Sequence, residues 1–125
     1  MLELIHVAKD YPSPGRAGSF TVLKDITLKV SGGESLAVVG PSGSGKSTLL
    51  NIIGALDRPS CGKVLLDGKD LGELGDSALA KLRSGLIGFV FQLHHLLPQC
   101  TVLENVLLPT IASRKHKSAK HARTR

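Results

Sequence analysis

Residues 40–48 read GPSGSGKST, which is a complete phosphate-binding loop pattern. The pattern consists of Gly40, Pro41, Ser42, Gly43, Ser44, Gly45, Lys46, Ser47 and Thr48. Glycines let the backbone turn tightly, so that several N–H groups converge on one anion. The helix expected next points its positive dipole end at the same place. The pattern therefore predicts a loop that holds a nucleoside triphosphate.

The flanking residues suit this interpretation. The apolar, β-branched run at 35–39 predicts a strand before the loop, and residues 48–56 predict a buried helix after it. Lys46 would place a cation near the outermost phosphates, and the Ser47 hydroxyl would hold a magnesium ion that bridges them. The alternative, an ordinary Gly/Ser turn, does not need a strand and a helix on its two sides.

Length and composition indicate one α/β domain. The chain has 125 residues, of which 42% are hydrophobic and only 3% are aromatic, so aliphatic side chains must form the core. No apolar run approaches the roughly 18 residues that span a bilayer. The first residues lack the basic and apolar regions of a secretory signal, so we expect a cytosolic protein.

The net charge of +6 is concentrated at one end of the chain. Residues 114–125 contain six basic residues and no acidic one, whereas residues 1–113 contain 10 of each. We therefore divide the chain at 113 and interpret the basic end as a solvated tail. Nucleic acid or anionic lipid is the alternative partner of such a tail. We expect no nucleic acid, because neither an aromatic platform nor a groove-reading motif accompanies it.

Neither the cysteines nor the adjacent histidines have the spacing of a metal site. Cys61 and Cys100 lie far apart and are expected to be free thiols. His94 and His95 are neighbours on a predicted loop and are not expected to converge on one ion.

Periodicity and turn signals predict the remaining elements. Strands are predicted at residues 2–7, 20–30, 63–66 and 86–91, and helices from Asp76 to Arg83 and after a Thr101-x-x-Glu104 capping box. In the second strand, Ile26, Leu28 and Val30 share one face. Asp67-Gly68 predicts a hairpin turn, and Tyr11 falls in a proline-containing loop after the first strand.

Three further features resemble one family. Tyr11 lies upstream of the phosphate loop, Gln92 ends a predicted strand downstream of it, and residues 96–106 read LLPQCTVLENV. Together these resemble the ATP-binding subunits of ABC transporters, over residues 1 to about 110. The stretches at 51–59 and 88–92 look most like the lipoprotein-releasing and macrolide-export branch.

The resemblance implies a fold, cofactors and partners. The implied fold class is α/β, a P-loop NTPase-like sheet with an ABC-type antiparallel β subdomain, truncated after the glutamine loop. ATP and Mg²⁺ are the implied ligands. The loop Leu93–Thr101 would meet a transmembrane permease, and the full-length parent would be a homodimer. The subunit would be cytoplasmic and peripheral on the inner face of the cell membrane, through the permease.

The resemblance also assigns roles by position. Tyr11 would stack on adenine, with an ordinary turn residue as the alternative. The loop residues Gly43, Gly45, Lys46, Ser47 and Thr48 would bind phosphates and magnesium. Gln92 would contact magnesium and the attacking water, with a polar residue at a strand end as the alternative.

The hydrolytic motifs of the family are not found in the sequence. They are a Leu-Ser-Gly-Gly-Gln signature, an apolar strand ending in Asp-Glu, and a switch histidine. Val30–Glu34 imitates the signature and Val64–Asp67 the acidic strand, but both are interpreted as leading into turns. We therefore expect the front part of a subunit that binds nucleotide and turns it over negligibly. The alternative is a non-catalytic nucleotide-binding or permease-docking module.

Overall fold

The fold is described from a computed structural model, for residues 1–13, 15, 17–93 and 95–108. The chain divides into two compact units, Met1–Leu79 and Ala80–Arg125. The basic end at 114–125 lies outside the described residues. Its separation from residues 1–113 therefore stays a prediction.

The first unit contains a four-stranded antiparallel sheet in the spatial order β2-β1-β3-β4. Its strands are β1 (Leu2–Pro12), β2 (Ser19–Val30), β3 (Cys61–Leu66) and β4 (Lys69–Asp70). The strands predicted near residues 2–7, 20–30 and 63–66 are thereby confirmed. Along β2, Ile26, Leu28 and Val30, which were predicted to share one face, are less exposed than their neighbours Asp25, Thr27 and Lys29.

The first strand is longer than predicted, and Tyr11 lies in it. Tyr11 pairs with Phe20 and Pro12 with Ser19, whereas the pairing of β1 with β3 reaches only to Ala8. Because β1 has a single neighbour at Pro12, a residue without an N–H group is tolerated there. The prediction of a loop at Tyr11 was wrong for this reason.

The predicted turn at Asp67-Gly68 is confirmed. It joins β3 to β4, with Leu66 paired to Lys69. The φ angles of Asp67 and Gly68 are 49° and 77°. Two consecutive residues with positive φ form the turn whose twist matches a tight hairpin. The resemblance of Val64–Asp67 to a catalytic acidic strand is thus superficial.

A close backbone approach holds β3 against β1. The register between these strands shifts between Ile5 and Ala8, and His6 has a φ of 49°. Gly62 lies opposite this irregularity with a φ of 85°, and a Cβ atom added there would lie 2.3 Å from the His6 carbonyl oxygen. Only glycine fits this position.

The core of the first unit lies between the sheet and helix α1 (Lys46–Ile53). Its buried apolar residues are Leu4, Val7, Leu23, Leu49, Ile52, Ala55, Val64, Leu71 and Leu79. Fully burying such an aliphatic side chain contributes about 1.5–3 kcal/mol. The helix was predicted to reach about residue 56 and ends at Ile53. The 3₁₀ turn η1 (Leu71–Glu73) and helix α2 (Asp76–Leu86) follow β4.

Two predicted strands are wrong. Residues 34–40 contain no strand, and Leu86 is the last residue of α2, followed by irregular backbone at 87–90. Val39 is 87% exposed and Val90 is fully exposed. A strand needs backbone partners, and no described segment pairs with either run. Both runs are apolar, but no described strand lies beside them to supply backbone partners.

The second unit contains a short helix, α3, at residues 102–108. Its predicted capping box is confirmed, because the Glu104 N–H donates to Thr101 Oγ1 at 3.3 Å and Glu104 Oε2 accepts from the Thr101 N–H at 2.7 Å. The N–H and hydroxyl donors of Thr101 lower the pKa of Glu104. Among the described residues, no helix has the length and apolar character that crossing a membrane requires.

We predict that Gly62→Ala strongly destabilises the first unit. The added methyl group would collide with the His6 carbonyl, and the positive φ would add strain of roughly 1–3 kcal/mol. Urea unfolding monitored by circular dichroism measures the change. Gly75→Ala is the control, because its Cβ would meet no atom within 4 Å. Equal unfolding midpoints for the two variants would contradict the close approach.

Candidate functional site

The loop at residues 40–48 turns tightly at its glycines, as predicted, through positive φ angles. The φ angles are 155° at Gly40, 78° at Gly43 and 75° at Gly45. The Ser44 N–H donates to the Pro41 carbonyl at 3.3 Å and closes a turn. The turn brings consecutive N–H groups to one side of the chain, as an anion-binding nest requires.

The loop is anchored to the sheet at Gly45. A Cβ atom added to Gly45 would lie 2.9 Å from the Val22 carbonyl oxygen and 2.9 Å from Val22 Cγ1. The loop therefore rests directly on the backbone of β2. The glycine at this position is needed for two reasons, a positive φ and the absence of a side chain.

Lys46 reaches back across the loop. Its ammonium group donates to the carbonyl oxygens of Gly40 at 3.1 Å and Pro41 at 3.0 Å. Both hydrogen bonds are exposed to solvent, where a charged acceptor can replace a carbonyl oxygen at little cost. The Lys46 ammonium thus lies at the loop, and its predicted place near the outermost phosphates stays a prediction.

The first turn of α1 leaves its N–H groups available. Gly45 is the N-cap residue, no side chain makes a capping hydrogen bond to this end, and the first turn contains no acidic residue. Ser47 is exposed and Thr48 is half-buried. The donors are therefore an ammonium group, backbone N–H groups and two hydroxyls. This donor set fits a triphosphate, and the Ser47 oxygen suits Mg²⁺, a cation that prefers oxygen ligands and keeps several waters.

Tyr11 belongs to a polar cluster that the sequence did not predict. Its hydroxyl donates to Asp57 Oδ2 at 2.9 Å, and its ring centroid lies 6.1 Å from that of Phe20. Lys9 donates to Asp57 Oδ1 at 2.7 Å, and its ammonium lies 5.0 Å from the centroid of the Tyr11 ring. We call Lys9, Tyr11 and Asp57 the Asp57 cluster. It brings together residues that are more than 40 positions apart in sequence.

The Asp57 cluster favours the ionised carboxylate. Partial burial by itself would raise the pKa of Asp57, but hydrogen bonds from Lys9, Tyr11 and the Arg58 N–H, together with the charge of Lys9, outweigh it. The net effect is a lowered pKa. Asp57 is therefore a fixed negative charge near neutral pH.

Arg58 fixes the segment that carries Asp57. Its guanidinium donates to the carbonyls of Gly72 at 3.2 Å and Leu74 at 2.9 Å, and to Asp76 at 3.2 Å. These bonds join the end of α1 to the turn before α2. No pattern in the sequence indicated this role; the only signal was the Arg58-Pro59 break after the helix.

Gln92 lies in the second unit. It is exposed, in irregular backbone rather than at the end of a buried strand. The preceding Phe91 ring stacks on Phe89 at 5.3 Å between centroids and meets His95 edge-on at 4.8 Å. The roles predicted for Gln92 at magnesium and at the attacking water stay predictions.

An apolar cleft follows Gln92 within the second unit. It measures about 290 Å³ and is lined by Leu96, Leu97, Pro98, Cys100, Val102, Asn105 and Val106. Asn105 organises it, because its side-chain amide donates to the carbonyls of Leu97, Cys100 and Thr101. The cleft overlaps the predicted docking loop at residues 93–101.

The two cysteines and the adjacent histidines lie outside the phosphate loop. Cys61 and Cys100 are free, as expected. Within the described part of the chain, no group of three or more His, Cys, Asp or Glu side chains could hold a metal ion. His94 lies outside the described residues.

Comparison with known proteins identifies relatives. Residues 23–125 match the family described as ABC transporter. The chain is 52% identical over 111 residues to the lipoprotein-releasing system ATP-binding protein LolD of Geobacter metallireducens, covering 89% of the chain and 48% of that protein. It is 50% identical over 123 residues to the uncharacterized ABC transporter ATP-binding protein YvrO of Bacillus subtilis, covering 98% and 53%.

Solved structures agree with the fold class predicted from the sequence. The dimeric ATP-binding cassette MJ0796 bound to ADP and phosphate, in a post-hydrolysis state, superposes with a TM-score of 0.83 at 46% identity. The match covers 89% of the chain and 47% of the cassette. The fold is therefore a partial α/β cassette, and the chain spans about half the length of the curated relatives it matches.

We predict a graded response at the two glycines of the loop. Gly43→Ala should cost about 1 kcal/mol, the strain of a left-handed alanine, because its Cβ meets no atom within 4 Å. Gly45→Ala should cost roughly 1–3 kcal/mol more, because its Cβ also collides with Val22. Chemical unfolding measures both. Equal losses would mean that Gly45 does not rest on β2.

We predict that Asp57 contributes stability that is lost in acid. Its pKa is lowered on folding, so the contribution is complete above the unfolded pKa of about 3.9 and is lost as the pH falls through the lower folded value. Asp57→Asn should reduce the free energy of unfolding by about 1 kcal/mol near neutral pH, since the ion pair is partly screened by water.

Urea unfolding from about pH 7 to about pH 3 checks this prediction, because the difference between the two proteins should shrink below about pH 4. Glu73→Gln, at an exposed position, is the control. A difference that stays constant down to the lowest pH would show that folding does not favour the Asp57 carboxylate.

Proposed function

The chain belongs to the ABC transporter family, and on that premise we propose that it binds MgATP through residues 40–48 as the front half of a transporter ATP-binding subunit. The observation that carries the proposal is the conformation of the loop. Gly43 and Gly45 are left-handed, and the Lys46 ammonium donates to the carbonyl oxygens of Gly40 and Pro41 at the start of the loop. An ordinary Gly/Ser turn needs neither feature.

The loop would bind the triphosphate through the Lys46 ammonium, backbone N–H groups and Ser47. The Lys46 ammonium would exchange the carbonyls of Gly40 and Pro41 for phosphate oxygens, which are stronger acceptors because they are charged. The N–H groups of the turn and of the first turn of α1 would bind the remaining oxygens. Ser47 would hold the magnesium ion, which neutralises phosphate charge when bound.

Tyr11 would bind the base. Its ring is half-buried on β1 and keeps an exposed part, and stacking of an aromatic side chain on a nucleobase contributes about 1–3 kcal/mol. Phe20, its partner across the strands, is 48% exposed and widens the aromatic surface.

Hydrolysis by this chain alone is proposed to be negligible. Phosphoryl transfer to water needs a group that positions the nucleophile, metal ligands and charge stabilisation around the γ-phosphate. The sequence offers Lys46, Ser47 and Gln92 but no acidic strand and no signature motif. In the full-length parent the acidic strand and the signature would complete the site across a homodimer, and the solved MJ0796 cassettes are dimeric.

The partner is proposed to be a transmembrane permease that contacts the loop at 93–101. The apolar cleft after Gln92 supports this, because exposed apolar surface of this kind marks an interaction site. The relatives named as lipoprotein-releasing favour export of lipoproteins, with macrolide-type export as the other branch. The subunit would then lie on the cytoplasmic face of the inner membrane.

A non-catalytic nucleotide-binding or docking module is the second candidate. It shares the loop and the cleft and differs only in never joining a hydrolytic half.

We predict that the chain binds MgATP saturably and that Lys46→Ala weakens binding at least about tenfold, because a charge-assisted contact contributes roughly 1.5–3 kcal/mol. Isothermal titration calorimetry measures the affinity, and phosphate release measures turnover, which should stay at background. Lys69→Ala, an exposed lysine in β4, is the control.

Two results would contradict the proposal. Unchanged affinity in Lys46→Ala would remove residues 40–48 as the nucleotide site. Release of phosphate that depends on Lys46 would show that the chain hydrolyses ATP without the missing motifs.

A further inference from the structure

A hydrogen bond to a side-chain hydroxyl can fix the orientation of an aromatic ring. In this chain the Tyr11 hydroxyl donates to Asp57 Oδ2 at 2.9 Å in a partly buried setting. The bond crosses from β1 to the segment after α1, so it restrains the ring with respect to two elements at once.

The carboxylate that accepts this bond is itself held on its other oxygen. Asp57 Oδ1 accepts from the Lys9 ammonium and from the Arg58 N–H, each at 2.7 Å. The Asp57 N–H donates to the Asn51 carbonyl at 3.2 Å at the end of α1. Both oxygens and the backbone of Asp57 are therefore fixed, and its orientation does not depend on Tyr11 alone.

Lys9 restrains the ring a second time. Its side chain is only 12% exposed, and its ammonium lies 5.0 Å from the ring centroid while it also donates to Asp57 and to the Arg58 carbonyl. A cation over the face of an aromatic ring is attracted by the ring quadrupole. The same lysine thus holds both the carboxylate and the ring that donates to it.

Helix α1 connects this arrangement to the phosphate loop. It begins at Lys46, directly after the loop, and the segment that leaves it carries Asp57. Helix α1 therefore has the phosphate loop directly before its first residue. Just beyond its last residue lies Asp57, the acceptor that orients Tyr11.

We propose that Asp57, held by Lys9, is a positioning residue for nucleotide binding: it fixes the Tyr11 ring in the orientation that receives the base, an inference that rests on the proposed function. Asp57 acts through Tyr11 and does not touch the nucleotide. Its loss therefore weakens the base-dependent part of the affinity and leaves the phosphate-dependent part unchanged.

Tyr11→Phe and Asp57→Ala, singly and together, test this in the full chain. Calorimetric titrations with MgATP and with magnesium tripolyphosphate, which has no base, separate the two parts of the affinity. Each single variant should bind MgATP about threefold to tenfold more weakly, the contribution of one net hydrogen bond, and bind tripolyphosphate as the wild type does. The double variant should be no weaker than the single ones, because both remove the same bond.

The controls separate this inference from the proposed function. Lys46→Ala should weaken the binding of both ligands, and Glu3→Ala, which removes a partly exposed pair with Lys29 at the other end of β1, should weaken the binding of neither. Wild-type protein that binds neither ligand would refute the proposed function and this inference with it.

Three other results overturn this inference alone. They are unchanged MgATP affinity in Tyr11→Phe, an equal loss for both ligands in Asp57→Ala, and additive losses in the double variant. Because Tyr11→Phe removes only a hydroxyl, it keeps the test valid if Asp57→Ala does not fold.

Discussion

The close contact between Gly45 and the backbone of Val22 is the constraint on which the rest of the site depends. It seats the phosphate loop on β2, and it leaves room for no side chain at that position. Since α1 begins at the next residue, the same contact fixes where the helix starts and how Leu49 and Ile52 enter the core. The antiparallel sheet therefore supports the loop. A change that destabilises the sheet also alters the geometry of the site.

The Asp57 cluster extends this support to the other end of α1. Lys9 and Tyr11 come from β1, and Asp57 follows the helix, so the cluster joins sheet and helix by an ion pair and a hydrogen bond. A partly buried ion pair is a modest source of stability, because desolvation offsets much of the attraction. The effect of the cluster on geometry is larger, because it restrains the Tyr11 ring, part of which is exposed to solvent, to one orientation.

Local chemistry made several elements predictable from the sequence. The capping box at Thr101 and Glu104, the Asp67-Gly68 turn and the glycines of the loop each depend on a few adjacent residues, and all three are confirmed. Two strand predictions were wrong because a strand forms only where a neighbouring segment can pair with its backbone. Residues 35–39 and 86–91 have the composition of buried strands, yet no described segment pairs with them. The Asp57 cluster could not be predicted either, because its partners meet only after β1 and α1 have packed together.

Amide hydrogen exchange with and without MgATP tests the central claim, that a stable antiparallel unit presents a preformed phosphate loop. The account predicts strong protection in β1 and β3, weak protection at Val38 and Val39, and new protection at residues 43–48 when MgATP is added. Strong protection at Val38 and Val39 without ligand would contradict the observed lack of pairing there. Protection at 43–48 that does not respond to MgATP would contradict the assignment of the loop itself.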